Sequence, residues 1–409
     1  MKSIWILNHY AQDPSCAGGT RHFSLAKHLF SLGWKASVIA ASVELNTGRQ
    51  RLTDDEKQRI TDFDGVKFLW VRTPQYEGNG AGRMKNMLVY TWRVLMPRVA
   101  KELDRPDAII GSSVHPFAAW SGAILAKRFG VPFIFEVRDL WPQTLVDMGR
   151  LRANSLATKL LRRLETWLYK RADRIIVLLP KAGEYIVPLG INVNKIVWIP
   201  NGVELDGYPE PLQPIGRTKF TLMYLGAHGQ ANGLDCILKA MVELKKIPEM
   251  SHVFLRMIGD GPLKPYLQKS AREMNLNNVQ FESAVSKQQI PELAAEADAF
   301  VISVLNLPNL YQYGISMNKL FDYFAAARPI VIASNAVNNP VADAAAGLTV
   351  NSGDSKAMAN AIFSLVTMLA EQRVKMGRAG RAYVEKNHDF RMLAAKLADT
   401  LNNVLVERK

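Results

Sequence analysis

The feature that most constrains the fold of this chain is a repeated alternation of short apolar runs with helical patterns. The runs are rich in β-branched residues and almost continuously apolar, which is typical of parallel strands covered on both faces. Strands separated by helical stretches predict sheets built of βαβ units. The candidate strands are 3–8, 35–42, 66–72, 107–113, 132–137, 174–179, 195–200, 220–226, 253–259, 279–283, 299–304 and 329–334.

A segment rich in proline and glycine, Ile199 to Lys219, divides the candidate strands into two sets. At 409 residues the chain exceeds the size at which a single core stops growing, so two domains are expected. We predict α/β domains over 1–200 and 201–390, and a final helix over 391–409 that packs back on the first domain. Open parallel sheets bind ligands beyond the carboxyl ends of their strands, so the cleft expected between the two halves is the predicted site.

The positive charge of the chain, +14 overall, is concentrated before residue 200, where 29 Lys and Arg face 17 Asp and Glu. A basic half favours a partner with phosphates, namely nucleic acid, an anionic membrane surface or a diphosphate substrate. A solvated basic surface explains the charge equally well. Two basic, aromatic helical stretches, 84–103 and 151–174, suit an anionic membrane surface, and packed helices with a charged outer face fit nearly as well.

The two cysteines, Cys16 and Cys236, are far apart in sequence. This spacing argues against a disulfide framework or a zinc site and fits a reducing cytoplasm. No apolar run approaches the ~20 residues needed to span a bilayer. The sequence also shows no Ser-His-Asp set, metal cluster or carboxylate pair for hydrolysis.

The strongest functional signal is the sequence YGISMNKLFDYFAAARPIVIA, at 313–333. Ser316 is predicted to cap a helix that starts near Asn318, which leaves backbone N–H groups free for an anion. Lys319 adds a positive charge, and Asp322, three residues later, can accept hydrogen bonds from both ribose hydroxyls. The pattern predicts a diphosphate at the helix start with its ribose one turn further in. The alternative is a surface Lys–Asp pair on an amphipathic helix.

Glycines follow several candidate strands and would let a ligand approach the backbone. They are Gly18, Gly19, Gly226, Gly229 and Gly259. His228, inside one of these loops, can donate to a phosphate oxygen or to a sugar hydroxyl, although a local hydrogen bond is the simpler expectation.

Charged and aromatic residues also gather at the end of the strand 132–137, in the sequence FEVRDLWP. Because strand ends carry sites in this architecture, Arg138 and Asp139 are candidate catalytic residues. A local ion pair at a turn is the alternative. His115, after another strand, is a weaker catalytic candidate.

Five short motifs together resemble those of glycosyltransferase family 4. Within that family they are most similar to the bacterial O-antigen and capsule branch, which includes N-acetyl-L-fucosamine transferases. The motifs are Gly-Gly at 18–19, RDLWP at 138–142, IPNGV at 199–203, GDGP at 259–262 and NKLFDY at 318–323. The resemblance spans nearly the whole chain. It implies a GT-B fold, with two Rossmann-like domains whose parallel sheets face each other across a cleft. It also implies a retaining hexosyl- or acetamidohexosyltransferase that uses a nucleotide sugar, expected to be UDP-linked, without a cofactor or an essential metal.

The resemblance also implies roles for particular residues. The donor would bind the C-terminal domain, with the Gly18–Gly19 loop and the backbone at Ile315 and Ser316 facing its diphosphate. Lys319 would neutralise phosphate charge beside Asn318, and Asp322 would hold the ribose. The acceptor would be a sugar on a polyprenyl diphosphate, bound to the N-terminal domain at the inner face of the cytoplasmic membrane.

The chain departs from the family at the donor site. Two glutamates usually stand there with seven residues between them; here Gly314 and Asp322 occupy those positions. A deoxy or acetamido sugar would suit the loss of the first carboxylate. Two basic residues that usually flank the diphosphate are replaced by Ala227 and Asn232. The cations that remain as candidates are Lys319, His228 and Arg138.

Two other classes remain open on the sequence. A GT-B sugar-nucleotide epimerase shares the architecture and cleaves the same bond, but it needs no acceptor. A basic nucleic-acid-binding protein explains the charge but not the paired α/β halves.

Overall fold

The computed structural model describes residues 1–16, 18–45, 47–78, 80–209 and 219–408. Contacts divide the chain into two compact units. Unit 1 contains Met1–Pro14, Thr20–Pro200 and Phe390–Lys409, and unit 2 contains Ser15–Gly19 and Asn201–Asp389. Part of the linker predicted at 199–219, residues 210–218, lies outside the described residues.

The strands of unit 1 are β1 (Lys2–Leu7), β2 (Trp34–Ala41), β3 (Gln58–Phe63), β4 (Val66–Val71), β5 (Ala108–Ser112), β6 (Phe133–Val137), β7 (Arg174–Val177) and β8 (Ile196–Trp198). They form one sheet in the order β3-β4-β2-β1-β5-β6-β7-β8. All neighbours are parallel except β3, which pairs antiparallel with β4. Strand β3 escaped prediction because its sequence, QRITDF, is that of a polar, half-exposed edge strand without an apolar run.

The strands of unit 2 are β9 (Phe220–Leu225), β10 (Val253–Ile258), β11 (Val279–Glu282), β12 (Ala299–Ser303), β13 (Ile330–Ala333) and β14 (Gly347–Val350). Their order is β11-β10-β9-β12-β13-β14, and every pairing is parallel. Strand β14 was missed because its four residues, GLTV, are mostly half-buried and too few to form an apolar run.

The helices connect these strands. They are α1 (Arg21–Ser31), α2 (Ala81–Val94), α3 (Pro97–Lys101), α4 (Pro116–Phe129), α5 (Gln143–Asp147), α6 (Leu156–Arg171), α7 (Ala182–Ile186), α8 (Asp235–Lys245), α9 (Lys264–Glu273), α10 (Ile290–Ala295), α11 (Pro308–Tyr311), α12 (Asn318–Ala325), α13 (Pro340–Asp343), α14 (Ser355–Thr367), α15 (Ala370–Asn387) and α16 (Phe390–Glu407). Within the described ranges, none of them is both long and apolar enough to cross a membrane.

Each sheet has a core built by the alternation of its strands. In unit 2, Leu222 and Tyr224 of β9 face one apolar cluster, whereas Met223 and Leu225 face another. In unit 1, the apolar face of α16 joins the cluster that contains α1, β1 and β2. The predicted class, two α/β domains with parallel sheets, is confirmed.

The strand order reverses once in each sheet, between β1 and β5 in unit 1 and between β9 and β12 in unit 2. Open α/β sheets bind ligands beyond the carboxyl ends of the strands at such a switch point. The loops that follow these four strands are therefore the first places to look for a functional site.

Candidate functional site

Helix α12 begins at Asn318, directly beyond the switch point of unit 2. The prediction that Ser316 caps this helix is wrong, because the N-cap residue is Met317, whose side chain makes no capping bond. The Ser316 hydroxyl instead accepts a hydrogen bond from the backbone N–H of Asn201, 3.1 Å away. Within the described residues the N–H groups of Met317 and Asn318 have no partner, so the helix start presents free donors.

Lys319 lies on the first turn of α12 with its ammonium turned toward the loop after β9. Its Nζ donates to the Tyr224 hydroxyl at 3.0 Å and to the Asn232 side-chain oxygen. The ammonium also lies 4.8 Å from the centre of the Tyr224 ring. Among the described residues no carboxylate pairs with it, and burial lowers the pKa of Lys319 from 10.5 to about 7. Lys319 is therefore a partly desolvated amine with no carboxylate partner in the described part of the chain.

Asn232 and Ala227 stand where the family resemblance leads one to expect basic residues. The Asn232 amide donates to the Ala227 carbonyl at 2.8 Å, and the Tyr224 hydroxyl donates to the same carbonyl at 2.8 Å. The two side chains thus hold the loop and the Lys319 ammonium together. In the loop after β9, neutral groups on Tyr224 and Asn232 therefore position the Lys319 ammonium, and among the described residues no second cation takes the place of the usual basic residues.

The Gly18–Gly19 loop belongs to unit 2, although it follows β1. A Cβ atom on Gly19 would lie 2.5 Å from the side-chain nitrogen of Asn318, so any larger residue would displace that side chain from the start of α12. The Cys16 carbonyl also accepts a hydrogen bond from the backbone N–H of Lys287 at 3.2 Å. The predicted glycine loop and the predicted helix start therefore meet within one unit.

His228 lies in the loop after β9, is fully buried, and stacks on Tyr224 with ring centres 5.9 Å apart. Neither ring nitrogen has a hydrogen-bond partner within the described residues. Burial, followed by the charge of Lys264, dominates and lowers the pKa of His228 to about 4. A neutral imidazole offers one donor and one acceptor, which matches a sugar hydroxyl better than a phosphate oxygen.

The backbone around His228 is held by close packing of glycines. A Cβ atom on Gly259 would lie 2.0 Å from the Gly226 carbonyl oxygen, so the loops after β9 and β10 touch through their backbones. A Cβ atom on Gly226 would lie 3.2 Å from Cε of Lys319. Gly229 is less constrained and precedes the short turn that carries Asn232. These glycines make room for the side chains of the site.

Asp322 is buried one turn along α12. Its Oδ1 accepts hydrogen bonds from the Tyr208 hydroxyl at 2.8 Å and from Lys287 Nζ at 2.5 Å. Sequence reasoning missed both partners because they lie far from Asp322 in the chain. Oδ2 of Asp322 accepts no hydrogen bond from the described residues and remains the oxygen available to a ligand.

The segment before α12 corrects a second detail of the prediction. The backbone N–H of Ile315 donates to the Asn338 side chain at 2.7 Å, and the same side chain donates to the Ile315 carbonyl at 3.0 Å. The Ile315 amide is therefore not free to bind a diphosphate. Gly314 has a φ of 101°, a conformation that a glutamate would adopt only with strain.

The switch point of unit 1 holds a buried ionic network that sequence reasoning missed. Glu136, at the end of β6, pairs with Arg21 at 2.9 Å and accepts from His22 at 2.6 Å. It also accepts from Ser112 at 2.7 Å. Burial alone would raise the pKa of Glu136, but His22 and Arg21 outweigh it and hold that pKa well below its usual range.

His115, a predicted catalytic residue, also lies in the core of unit 1 and is fully buried. Its Nδ1 accepts from the backbone N–H of Ala118, which caps α4, so Nε2 carries the proton and donates to His9 at 2.5 Å. His9 in turn donates to Asn86 at 2.6 Å. Both ring nitrogens of His115 are thus engaged by other groups of unit 1, and its catalytic role stays a prediction.

Arg138 and Asp139 follow β6 at the surface of the same unit. Arg138 is half-buried, and its guanidinium makes no hydrogen bond or ion pair within the described residues. Its positive charge contributes to the low pKa of Glu136. Asp139 is exposed and not paired with Arg138. The two residues share a strand end, and both remain candidates only.

No group of His, Cys, Asp and Glu side chains in the described part of the chain could hold a metal ion. The residues brought together at the site in unit 2 are a cation, free backbone donors, a neutral imidazole and a buried carboxylate. This set can bind an anion next to polar hydroxyl groups.

Both units match family models of glycosyltransferases. The model "Glycosyl transferase 4-like domain" matches residues 18–202, and the model "Glycosyl transferases group 1" matches residues 219–368. Fold and domain matches together define a protein of the GT-B class. Each unit therefore contains a region that matches a glycosyltransferase domain model, and the two matches lie on opposite sides of the linker.

Curated relatives cover the chain in part. The probable glycosyltransferase WbjE of Pseudomonas aeruginosa is 27% identical over 43% of this chain and 45% of its own length. The putative colanic acid biosynthesis glycosyl transferase WcaI of Escherichia coli (strain K12) is 22% identical over 58% of this chain and 61% of its own length. The matched part of the chain thus spans about half of these relatives.

Solved structures share the fold over the whole chain. Sucrose-phosphate synthase from Thermosynechococcus elongatus has a TM-score of 0.76 at 16% identity and covers 100% of both chains. Anabaena Alr3699/HepE in complex with UDP and glucose has a TM-score of 0.66 at 16% identity, covering 98% of this chain and 99% of the other. At these identities the likeness establishes the fold alone.

Proposed function

We propose that the protein transfers a sugar from a nucleotide diphosphate donor, bound by unit 2, to an acceptor. The observation that carries the proposal is Lys319, a partly desolvated ammonium with no carboxylate partner within the described residues. It lies beside the free N–H groups of Met317 and Asn318, and a helix start with an adjacent cation favours a diphosphate. HepE, which shares the fold, binds UDP, and this supports a uridine nucleotide.

The other residues of unit 2 are assigned to parts of the donor. Gly19 lets the loop after β1 pack against Asn318 at the start of α12, where the diphosphate is placed, and the free oxygen of Asp322 accepts from the ribose hydroxyls. The neutral imidazole of His228 contacts a hydroxyl of the sugar. The assignment uses each polar group of the site that lacks a full set of protein partners.

The proposed chemistry is a retaining, front-face substitution. The bond between the anomeric carbon and the diphosphate oxygen breaks while the acceptor oxygen bonds to the same face of that carbon. The acceptor proton passes to a phosphate oxygen of the departing nucleotide. Lys319 and the start of α12 stabilise the negative charge that develops there, and stabilisation of this kind often contributes more to catalysis than any other effect. The step requires no metal.

The donor sugar is proposed to be a deoxy or acetamido sugar, because Gly314 replaces a carboxylate that would contact sugar hydroxyls. The acceptor is proposed to be a saccharide on a polyprenyl diphosphate at the inner face of the cytoplasmic membrane. The colanic acid assignment in the name of WcaI and the basic charge of unit 1 support a role in cell-surface polysaccharide synthesis.

A two-stage experiment tests the proposal. Nucleotides and nucleotide sugars are first screened for thermal stabilisation of the protein, because a ligand that binds only the folded state raises its unfolding temperature. Stabilising donors are then incubated with and without a lipid-linked acceptor, in the presence of EDTA. Transfer that requires both substrates and survives EDTA is expected. An epimerised donor in the acceptor-free sample would assign the site to an epimerase, and no stabilisation by any nucleotide would overturn the proposal.

A further inference from the structure

A cavity of about 710 Å³ lies in unit 1, away from its switch point. Its walls are the segments that follow β2 and β4, at 50–54 and 72–75, together with α2. Strands β2 and β4 are parallel neighbours, so their carboxyl ends lie at the same edge of the sheet. Its volume is in the range that is usual for ligand pockets.

The lining of this cavity is basic. Arg72, Lys85 and Arg93 contribute three cations against one carboxylate, that of Asp54. Arg72 pairs with Asp54 at 3.1 Å, whereas Lys85 and Arg93 form no ion pair within the described residues. Burial, followed by the charges of Arg98 and Arg72, lowers the pKa of Arg93. An anion in the cavity would supply the missing negative charge.

Thr73 provides an independent sign of a ligand. The residue is 1% exposed, is among those that line the cavity, and carries a hydroxyl without a hydrogen-bond partner in the described chain. The backbone of Thr73 is satisfied, because its N–H donates to Ser42 at 3.0 Å and its carbonyl accepts from Gln50 at 3.0 Å. An unpaired buried hydroxyl costs about 1–3 kcal/mol, so its retention favours a role in binding.

An exposed apolar stripe runs along α2 beside the cavity. Met84, Leu88 and Trp92 are spaced four residues apart and are 46%, 50% and 69% exposed. The lining residues Lys85 and Arg93 each follow a member of the stripe by one position, which is about 100° around a helix. One helix therefore presents a basic wall to the cavity and an apolar surface directly next to it. Exposed apolar patches with a polar rim mark interaction sites.

We propose that this cavity binds the phosphate or diphosphate head of an amphiphile whose apolar chain lies along Met84, Leu88 and Trp92. The basic lining complements the head in charge, the Thr73 hydroxyl donates to it, and the stripe covers the chain. The further identification of this amphiphile as the acceptor lipid rests on the proposed function. The assignment of the binding site does not depend on that function.

Farnesyl diphosphate, below its micellar concentration, is the probe for the head group, with binding measured by calorimetry. The double variant Lys85→Gln/Arg93→Gln is expected to weaken binding at least tenfold. The control Lys246→Gln/Lys269→Gln removes the same charge from exposed lysines of unit 2 and is expected to bind as the wild type does. Equal affinity of the first variant and the wild type would overturn the proposal.

Thr73→Val separates binding from folding. Because the variant removes an unpaired buried hydroxyl, its unfolding temperature is expected to stay the same or rise, while farnesyl diphosphate binds several-fold more weakly. Unchanged binding would mean that the hydroxyl does not contact the head group and would remove Thr73 from the site.

The apolar stripe is tested with Leu88→Ser/Trp92→Ser, and the control is Leu369→Ser, an exposed leucine of unit 2. The stripe variant is expected to weaken farnesyl diphosphate about tenfold and to leave inorganic pyrophosphate unchanged, both measured in Lys319→Ala protein so that unit 2 does not contribute. If the variant changed the affinity for neither probe, the site would be one for free phosphates. If it weakened both probes equally, the stripe would have no specific role in binding the chain. Either result would overturn the amphiphile proposal.

The two proposals fail separately in these measurements. Lys319→Ala is expected to lose UDP binding and keep farnesyl diphosphate binding, and Lys85→Gln/Arg93→Gln is expected to do the reverse. Binding of farnesyl diphosphate without any binding of UDP would overturn the proposed function and leave the cavity assignment intact.

Discussion

The switch points of the two sheets occupy the same topological place but differ in how their buried polar groups are satisfied. In unit 1, the Glu136 carboxylate accepts hydrogen bonds from the Arg21 guanidinium, the His22 ring and the Ser112 hydroxyl. Arg21 and His22 also make further hydrogen bonds with other groups. In unit 2, Lys319 has only neutral partners and His228 has none within the described residues.

We interpret this difference as one between a structural network in unit 1 and the proposed binding site in unit 2. Buried polar groups in folded proteins are almost always hydrogen-bonded, and buried charges are paired. The unit 1 network obeys that rule, because its groups are partnered within the protein. The unit 2 groups break it, which is expected where a ligand completes the set of partners.

The largest expected effect comes from breaking the satisfied network. Glu136→Ala leaves the buried Arg21 charge without its partner and is expected to cost about 3–5 kcal/mol of unfolding free energy. Urea unfolding measures the loss. Glu282→Ala breaks a partly exposed pair with Arg256 and is expected to cost about 1 kcal/mol or less. Equal losses in the two variants would show that the Glu136 network is not the stronger support.

Lys319→Ala is expected to lower activity without lowering stability, the opposite of Glu136→Ala. It removes a desolvated cation, so stability is expected to stay constant or rise, whereas turnover falls about 10²–10³-fold, as on removal of a single stabilising donor at the reacting charge. Turnover is measured with a working donor and acceptor, and Lys246→Ala, on the surface of unit 2, is the control. Full turnover combined with lost stability would assign Lys319 to the scaffold.

His228→Phe sharpens the contrast within unit 2. Phenylalanine keeps the stacking on Tyr224 and removes two unpartnered nitrogens, so the protein is expected to be as stable as before. Donor affinity is expected to fall about tenfold, the value of one or two hydrogen bonds. His252→Phe, on the surface, is the control. A destabilised variant with unchanged affinity would contradict the assignment.

The smallest effect is a pH dependence of donor binding. The pKa of Lys319 is about 7 in the free protein, and a bound diphosphate would raise it, so binding takes up a proton above pH 7. The dissociation constant for UDP is therefore expected to rise by up to about tenfold between pH 7.5 and 8.5, where phosphate is already ionised. Calorimetry at several pH values measures the change. In Lys319→Gln the change of the dissociation constant with pH is expected to vanish. If it persisted, a group other than Lys319 would cause it.

The pKa of Lys319 also links the stability of the ligand-free protein to pH. The folded-state pKa of Lys319 lies below its usual 10.5, so the unfolded chain binds more protons between about pH 7 and 10.5. This residue therefore contributes an increase of stability with rising pH in that window.

Local patterns in the sequence determined the α/β class, most strand positions and the motifs around Gly19, Asn318 and Lys319. Apolar runs and helical periods are set by neighbours along the chain, so they can be read from it directly. The half-exposed strand β3 and the short strand β14 carry no such pattern, and both were missed. The cap of α12 was misplaced by one residue, because Ser316 is used by a distant backbone group.

Only the tertiary structure decided which polar groups are satisfied. Glu136 meets Arg21 across 115 residues, and His9 meets His115 across 106. Lys287 reaches Asp322 across 35 residues, while His228 finds no partner within the described chain. Such pairings depend on where the strands place their carboxyl ends, and no local pattern encodes that placement. The sequence therefore determined which residues are present at the sheet edges, and the fold decided which of them remain available to a ligand.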